Sequence, residues 1–261
     1  MSDTPKTLAS PTRGNLVSLA SVVVFFTTWE LAYQAGLVNP VFFSAPSRII
    51  QAAAEVLESG VLQQDLSITL TAYGISILIA GLTGITLGLT TGASEIAYRV
   101  FNPFIVSLNA LPKIVLMPMV LLWFGLGLSA KVFLGALMAG FPIIVNVQSG
   151  VRNLERDHIM LARSFGASKK VIFQSIVLPS LIPYLLAGLR VGMTYAMVGV
   201  LIVEFFASSA GIGYRMVLTT QNFQIDAFFV LLLVVIAIIL ACTSLVRLAE
   251  KHFGRWRPVS L

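Results

Sequence analysis

Six stretches of this chain are each as long and as apolar as a helix must be to cross a bilayer, and nothing else in the sequence limits the fold so strongly. They are Leu16–Leu37, Ser67–Thr91, Phe101–Phe124, Val132–Gly150, Ile182–Phe206 and Ala227–Leu248. Hydrocarbon offers no partner to an unpaired N–H or C=O, so each stretch is expected to be helical. Composition agrees: 57% of residues are hydrophobic, 11% are charged, and the mean hydropathy is +0.92. Soluble domains carry about 25% charged residues. The first stretch is longer than the apolar core of a signal peptide and no clean small-x-small cleavage site follows it, so it is read as a retained span.

The placement of Lys and Arg orients the spans. With the N-terminus inside, the cytoplasmic segments hold Lys6, Arg13, Arg99, Arg152, Arg156, Arg163, Lys169, Lys170, Arg247, Lys251, Arg255 and Arg257. The outer segments hold only Arg48, Lys131 and Arg215. Both ends of the chain are therefore expected in the cytoplasm, and with a net charge of +6 lying between apolar runs, nucleic acid is not an expected partner.

After Pro46, the residues Ile49, Ile50, Ala53, Val56 and Leu57 recur at helical spacing with Arg48, Gln51, Glu55 and Glu58 between them. That pattern predicts an amphipathic helix at the outer interface or against the bundle. The chain accordingly divides into residues 1–61 (tail, first span and this helix), a core at 62–249, and a basic tail at 250–261, with no second domain or repeat. Within the core, Gly84, Gly88 and Gly92, and likewise Gly188, Gly192 and Ala196, fall four residues apart. Small residues at that spacing let helix backbones approach closely, within one chain or between subunits.

Between spans four and five lies a polar, basic segment, Asn153–Pro179, too long and too charged for a simple turn. Asn153 is expected to cap a short helix with Glu155 and Asp157 in its first turn, and Leu154, Leu161, Ala162 and Phe165 on one face. Gly166 is expected to end it and Ser168 to start a second helix with Val171, Ile172, Ser175 and Ile176 on one side. Pro179 would then set the angle of re-entry into the membrane. Arg156, Arg163, Lys169 and Lys170 form a basic rim.

The spacing Ala162, three residues, Gly166, nine residues, Ile176-x-Leu178-Pro179 resembles the cytoplasmic coupling loop of ATP-binding-cassette importer permeases. Leu111-Pro112-Lys113, Trp123-Phe124-Gly125, Gly166-Ala167-Ser168, Gly188-Leu189-Arg190, Glu204 and Gly211-Ile212-Gly213-Tyr214 extend the likeness over nearly the whole chain. They resemble the nitrate, sulfonate, taurine and bicarbonate branch, with relatives for thiamine precursors and aromatic acids. The resemblance implies an all-α, six-span type-I importer permease of the bacterial inner membrane. It implies two ATPase subunits that dock on Met160, Leu161, Ala162, Phe165, Gly166, Ala167, Ser168, Ile176, Leu178 and Pro179, an extracytoplasmic binding protein, and a second permease copy, identical or not. The solute implied is a small anion such as a sulfonate, nitrate or an aromatic acid, with a neutral heteroaromatic vitamin precursor as the alternative. One departure is plain: the family's Glu-Ala-Ala stands here as Met160-Leu161-Ala162, so the acid is missing.

Four ionisable residues lie in or near spans: Glu30, Lys113, Arg190 and Glu204. Charges at that depth are costly and are expected to face the bundle or water. Lys113, between Pro112 and Pro118, falls where a broken helix would line a cavity. Pro112, Lys113, Pro118, Arg190 and Glu204 are therefore candidates for the solute path, against a reading in which Lys113 snorkels or pairs with Glu204 or Glu30. Gly211, Gly213 and Tyr214 suggest a flexible break after span five, either a plain turn, a contact for a binding protein or a gate.

No G-x-x-x-x-G-K-[ST] occurs, so the chain itself is not expected to bind ATP, which a partner would hydrolyse. His158 and His252 are the only histidines, and no H-E-x-x-H or serine elbow is present, so neither an enzyme nor a metal site is expected. Cys242, the single cysteine, excludes an intrachain disulfide and is expected to fill core space. A stand-alone channel or secondary carrier is the rival reading; it predicts transport without an ATPase.

Overall fold

The computed structural model describes residues 11–253 apart from 59 and 155, without the side chains of 11–15, 156–158, 169 and 251–253. The described residues form helices α1 (Pro11–Gln34), α2 (Pro46–Glu58), α3 (Val61–Ala93), α4 (Glu95–Ala110), α5 (Met117–Phe124), α6 (Leu128–Arg152), α7 (Arg156–Ser164), α8 (Lys169–Ile172), α9 (Leu178–Ala207), α10 (Ile212–Gln221) and α11 (Ile225–Phe253). A 3₁₀ turn (Lys113–Leu116) precedes α5, and a π turn (Phe173–Val177) joins α8 to α9. Glu155 and the tail from 254 onward lie outside the described residues.

Five helices are long and apolar enough to cross a membrane singly. The span expected at Phe101–Phe124 is instead two pieces, α4 and the 3₁₀–α5 unit, bent by 90°. Pro112 explains the break. It has no N–H to continue α4, and it holds Leu111 in an extended conformation (φ −67°, ψ 130°). Pro118 breaks nothing, because it sits in the first turn of α5, where an N–H is not needed.

Packing of the glycines establishes the path of the chain. A methyl group added at Gly84 would come 2.8 Å from Ile143, at Gly88 2.7 Å from Val147, and at Gly92 2.6 Å from Val151. Numbers rise together on both helices, so α3 and α6 run parallel. Residues 94–127 must therefore recross the membrane, which makes the bent pair a sixth, broken span. Against α9 the order reverses: Gly150 meets Tyr184, Gly188 meets Asn146, Gly192 meets Ile143 and Gly199 meets Gly135. The small-residue stripes thus serve packing within the chain. Lipid tails are as apolar as leucine, so close van der Waals contact and interhelical hydrogen bonds hold these helices together. Ser76 Oγ supplies one such bond, donating to Ala72 O of its own helix (2.7 Å) and lying 3.2 Å from Val132 O of α6.

Around the α3–α6–α9 sheaf the buried core comprises Tyr73, Ile143, Val147, Met197, Val200, Ile212 and Leu231, with Cys242 packed at its edge. α2 turns Ile49 and Val56 inward while Ile50 and Leu57 stay exposed, so its apolar face divides between bundle and surroundings. Glu30 does not face a bundle interior. It lies at the outer end of α1 and accepts hydrogen bonds from the Ser47 N–H (3.1 Å), Ser47 Oγ (2.8 Å) and Gln34 (2.8 Å), an acid placed at the N-terminus of α2.

Candidate functional site

The cytoplasmic loop is built from the end of α6. Helical sequence persists through Arg152, so the Asn153 N–H closes that helix by donating to Ser149 O (2.9 Å). Asn153 is thus a C-cap and not the predicted N-cap, and α7 begins at Arg156. α7 ends as expected at Gly166, whose φ of +77° suits a residue without Cβ. The Ala167 N–H donates to Ala162 O (3.0 Å) and the Gly166 N–H to Arg163 O (2.9 Å), the paired closure of a Schellman motif. Ser168 then caps α8, accepting from the Val171 N–H at 3.4 Å.

The predicted second short helix is not independent. Residues Lys170–Ala207 run as one 38-residue helix, with Pro179 in the first turn of α9. Pro179 supplies no N–H to the preceding turn, and the π turn absorbs this, with the Leu178 N–H reaching Phe173 O. The re-entry angle is therefore set at the Gly166 corner. On the loop surface Phe165 is 82% exposed, and Met160 and Leu161 are each 57% exposed. Leu178 is exposed, Ala162, Ala167 and Ile176 are half-buried, and Ile172 is buried. Of the basic rim, Arg163 and Lys170 are exposed, while the side chains of Arg156 and Lys169 lie outside the described residues, as does that of Asp157. At the root of the loop, the Arg152 guanidinium stacks 3.7 Å from the Tyr98 ring centre and pairs with Glu95 (3.2 Å), joining α6 to α4.

The candidate path residues are not gathered in one place. Lys113 donates to Asn109 O (3.0 Å) and lies 4.9 Å from the centre of the Phe141 ring. It pairs with neither Glu204 nor Glu30. Arg190 pairs with Glu250 and so ties α9 to α11 at their cytoplasmic ends. Pro112 and Pro118 are exposed beside Lys113.

Glu204 belongs to a network that sequence reasoning missed. Its carboxylate is fully buried and lies 3.0 Å from Lys131 Nζ, itself only 3% exposed. Thr69 Oγ1 (2.9 Å) and the Gly213 N–H (2.8 Å) also donate to it. Thr69 in turn accepts from the Ile212 N–H (2.9 Å), Asp65 accepts from the Gly211 N–H (2.8 Å) and Arg215 Nε (2.8 Å), and Lys131 donates to Ala210 O (2.8 Å). Acidic side chains of α3 and α9 thereby bind the first N–H groups of α10. The Gly211–Gly213 segment is thus neither a plain turn nor loose. Gly211 has φ +116°, and a Cβ there would stand 2.1 Å from Glu204 Oε1. The missed signal was Lys131, whose sequence position at the edge of an apolar run reads equally as loop or span. Asp65 lay just outside the predicted edge of span two for the same reason.

Every outer cation is neutralised: Arg48 by Asp226 (2.6 Å), Lys131 by Glu204 and Arg215 by Asp65. Lys113, at the broken span, has no carboxylate partner among the described residues, and the same holds for Arg247 near the cytoplasmic end of α11.

Comparison with known proteins agrees with this architecture. The sequence is 30% identical over 254 residues to the aliphatic sulfonates transport permease protein SsuC of Escherichia coli (strain K12), covering 96% of this chain and 97% of that one. It is 26% identical to the taurine transport system permease protein TauC of the same strain (92% and 89% covered). It is 29% identical to the formylaminopyrimidine transport permease protein ThiX of Halalkalibacterium halodurans (74% and 76%). In fold it resembles the MetNI methionine ABC transporter in an inward-facing conformation, with a TM-score of 0.57 at 17% identity over 76% of this chain and 98% of that chain. An amino acid ABC transporter crystallised with histidines also gives a TM-score of 0.57 at 17% identity (77% and 96%). The profile of the family described as binding-protein-dependent transport system inner membrane component matches residues 82–255, and the chain belongs to that family of ABC importer permeases.

Proposed function

We propose that this permease forms, with a second copy of itself, the membrane path of an ATP-driven importer, on which two ATPase subunits seat at residues 153–179. Family membership replaces the stand-alone channel reading; the coupling role of this loop is our own assignment. The observation that carries it is the exposed apolar surface of Met160, Leu161 and Phe165, held on a helix whose C-terminal end is locked by the Gly166 corner. Beyond that corner the chain is continuous helix to Ala207, so force applied to the loop reaches the membrane core without a flexible joint. With Met160 in place of the acid of the coupling-loop motif that this segment resembles, docking here rests on apolar burial and the basic rim. The ATP site belongs to the partner, and this chain holds no cofactor.

The solute is a small organic anion, a sulfonate in the first instance, delivered by a binding protein. Lys113 supports this choice. It is a cation at a break in a span, presented by the 3₁₀ turn, with a ring face and one carbonyl as its partners and no counter-ion among the described residues. A solute sulfonate supplies the missing charge. The test is uptake of labelled alkanesulfonate by cells carrying Lys113→Gln beside wild type. A charge-assisted hydrogen bond is worth about 1.5–3 kcal/mol, so uptake at low solute falls by about tenfold or more with the assembled complex intact. Unchanged uptake would remove Lys113 from the path.

A further inference from the structure

On the outer face a cavity of about 470 Å³ opens between α2, α10 and the start of α11, and its walls carry opposite charges. On one wall Arg215 is anchored from behind: its Nε donates to buried Asp65, and its two terminal amino groups have no hydrogen-bond partner among the described residues. On the other wall Glu55 of α2 is exposed, with no ion pair or hydrogen bond among the described residues. Arg48 and Asp226, also lining the cavity, neutralise each other. The rim is apolar. Val61 borders it, and Phe223, held at φ +58°, sets its ring edge-on to Phe42 (6.3 Å between centres), with both rings exposed. A non-glycine residue in the left-handed region is uncommon, and a large one more so.

We infer that this cavity binds the headgroup of an outer-leaflet phosphatidylethanolamine, its phosphate on the Arg215 fork and its ammonium on Glu55. Two features choose this occupant. The anchored guanidinium presents paired N–H donors in the geometry that suits phosphate oxygens, while the facing carboxylate suits a primary ammonium. The aromatic rim lies where amphipathic α2 meets the membrane surface, so the acyl chains leave along Val61 and the two Phe rings. A purely anionic headgroup would meet Glu55 unfavourably, and a quaternary choline offers that carboxylate no N–H.

The test is native mass spectrometry of the purified transporter complex in mild detergent, titrated with phosphatidylethanolamine, phosphatidylcholine and phosphatidylglycerol. Wild type is expected to retain phosphatidylethanolamine about tenfold better than either of the others, a factor equal to one charge-assisted hydrogen bond. Glu55→Gln is expected to abolish the preference over phosphatidylcholine without affecting the fold, since Glu55 is exposed and unpaired. Arg215→Gln should lower retention of both zwitterionic lipids, and if stranding Asp65 prevents its assembly, Glu55→Gln decides alone. Equal retention of the three lipids, preference for phosphatidylglycerol, or an undiminished preference in Glu55→Gln would each overturn the assignment. So would displacement of the lipid by free 2-aminoethanesulfonate, which would make the cavity a solute site. Loss of binding-protein capture in both variants, with lipid retention unchanged, would make it a protein-docking patch.

Discussion

Lys131 Nζ and Glu204 Oε1 meet 3.0 Å apart in the bundle interior, and between them α6 and α9 grip the loop that starts α10. The Glu204 carboxylate takes donors from three elements: Lys131 of α6, Thr69 of α3 and the backbone of Gly213. The bundle's outer half is thereby held as one body. The α4–α5 unit packs more lightly on this body than α3, α6 and α9 pack on one another.

Glu204→Gln should be strongly destabilising because it leaves the Lys131 ammonium buried without a counter-charge. The expected loss is about 3–5 kcal/mol, seen as a lower melting temperature in detergent and poor yield. Replacing both residues, Glu204→Gln with Lys131→Met, should recover much of that loss. A double variant as unstable as the sum of the singles would contradict a paired role.

Two glycines of α3 should respond with opposite signs. Gly88→Ala puts a methyl 2.7 Å from Val147 Cβ and must push α6 away, lowering stability. Gly74→Ala meets nothing within 4 Å and removes a helix-weakening glycine, a gain of up to about 1 kcal/mol. Thermal unfolding of the two single variants in the same detergent checks both signs.

Arg152 connects the root of the loop to α4 through Glu95 and Tyr98. Arg152→Gln should leave ATPase binding and hydrolysis in place but lower the solute moved per ATP consumed, because the push on the loop no longer reaches the broken span. Reconstituted vesicles read both quantities together. A proportional fall in hydrolysis and transport would show instead that the residue acts in docking.

Much of this was legible in the sequence, for physical reasons. Length and apolarity identified the spans, Pro112 marked the break in the third, and Gly166 marked the corner of the loop, because a missing N–H and a missing Cβ have local consequences. The failures were of two kinds, helices that ran on past a stop signal and partners distant in sequence. Asn153 was misassigned because a good N-cap residue also closes a preceding helix when that helix runs long. Pro179 was expected to turn the chain, yet a π turn let the helix continue through it. Lys131 was placed in an outer loop, since its burial depends on a partner 73 residues away. Lys113 was offered Glu204 as a partner for the same reason, and only the fold shows that Glu204 is already occupied.

The proposed seat of the ATPase is the exposed apolar surface of Met160, Leu161 and Phe165. Phe165→Ser tests it most directly, since the ring is 82% exposed and its loss opens no cavity in the bundle. The measurement is affinity capture of the tagged chain from its own membranes in mild detergent, with the ATPase quantified by mass spectrometry. The expected result is wild-type amounts of inserted permease and a large loss of captured ATPase in the variant. ATPase retained at the wild-type ratio would contradict it.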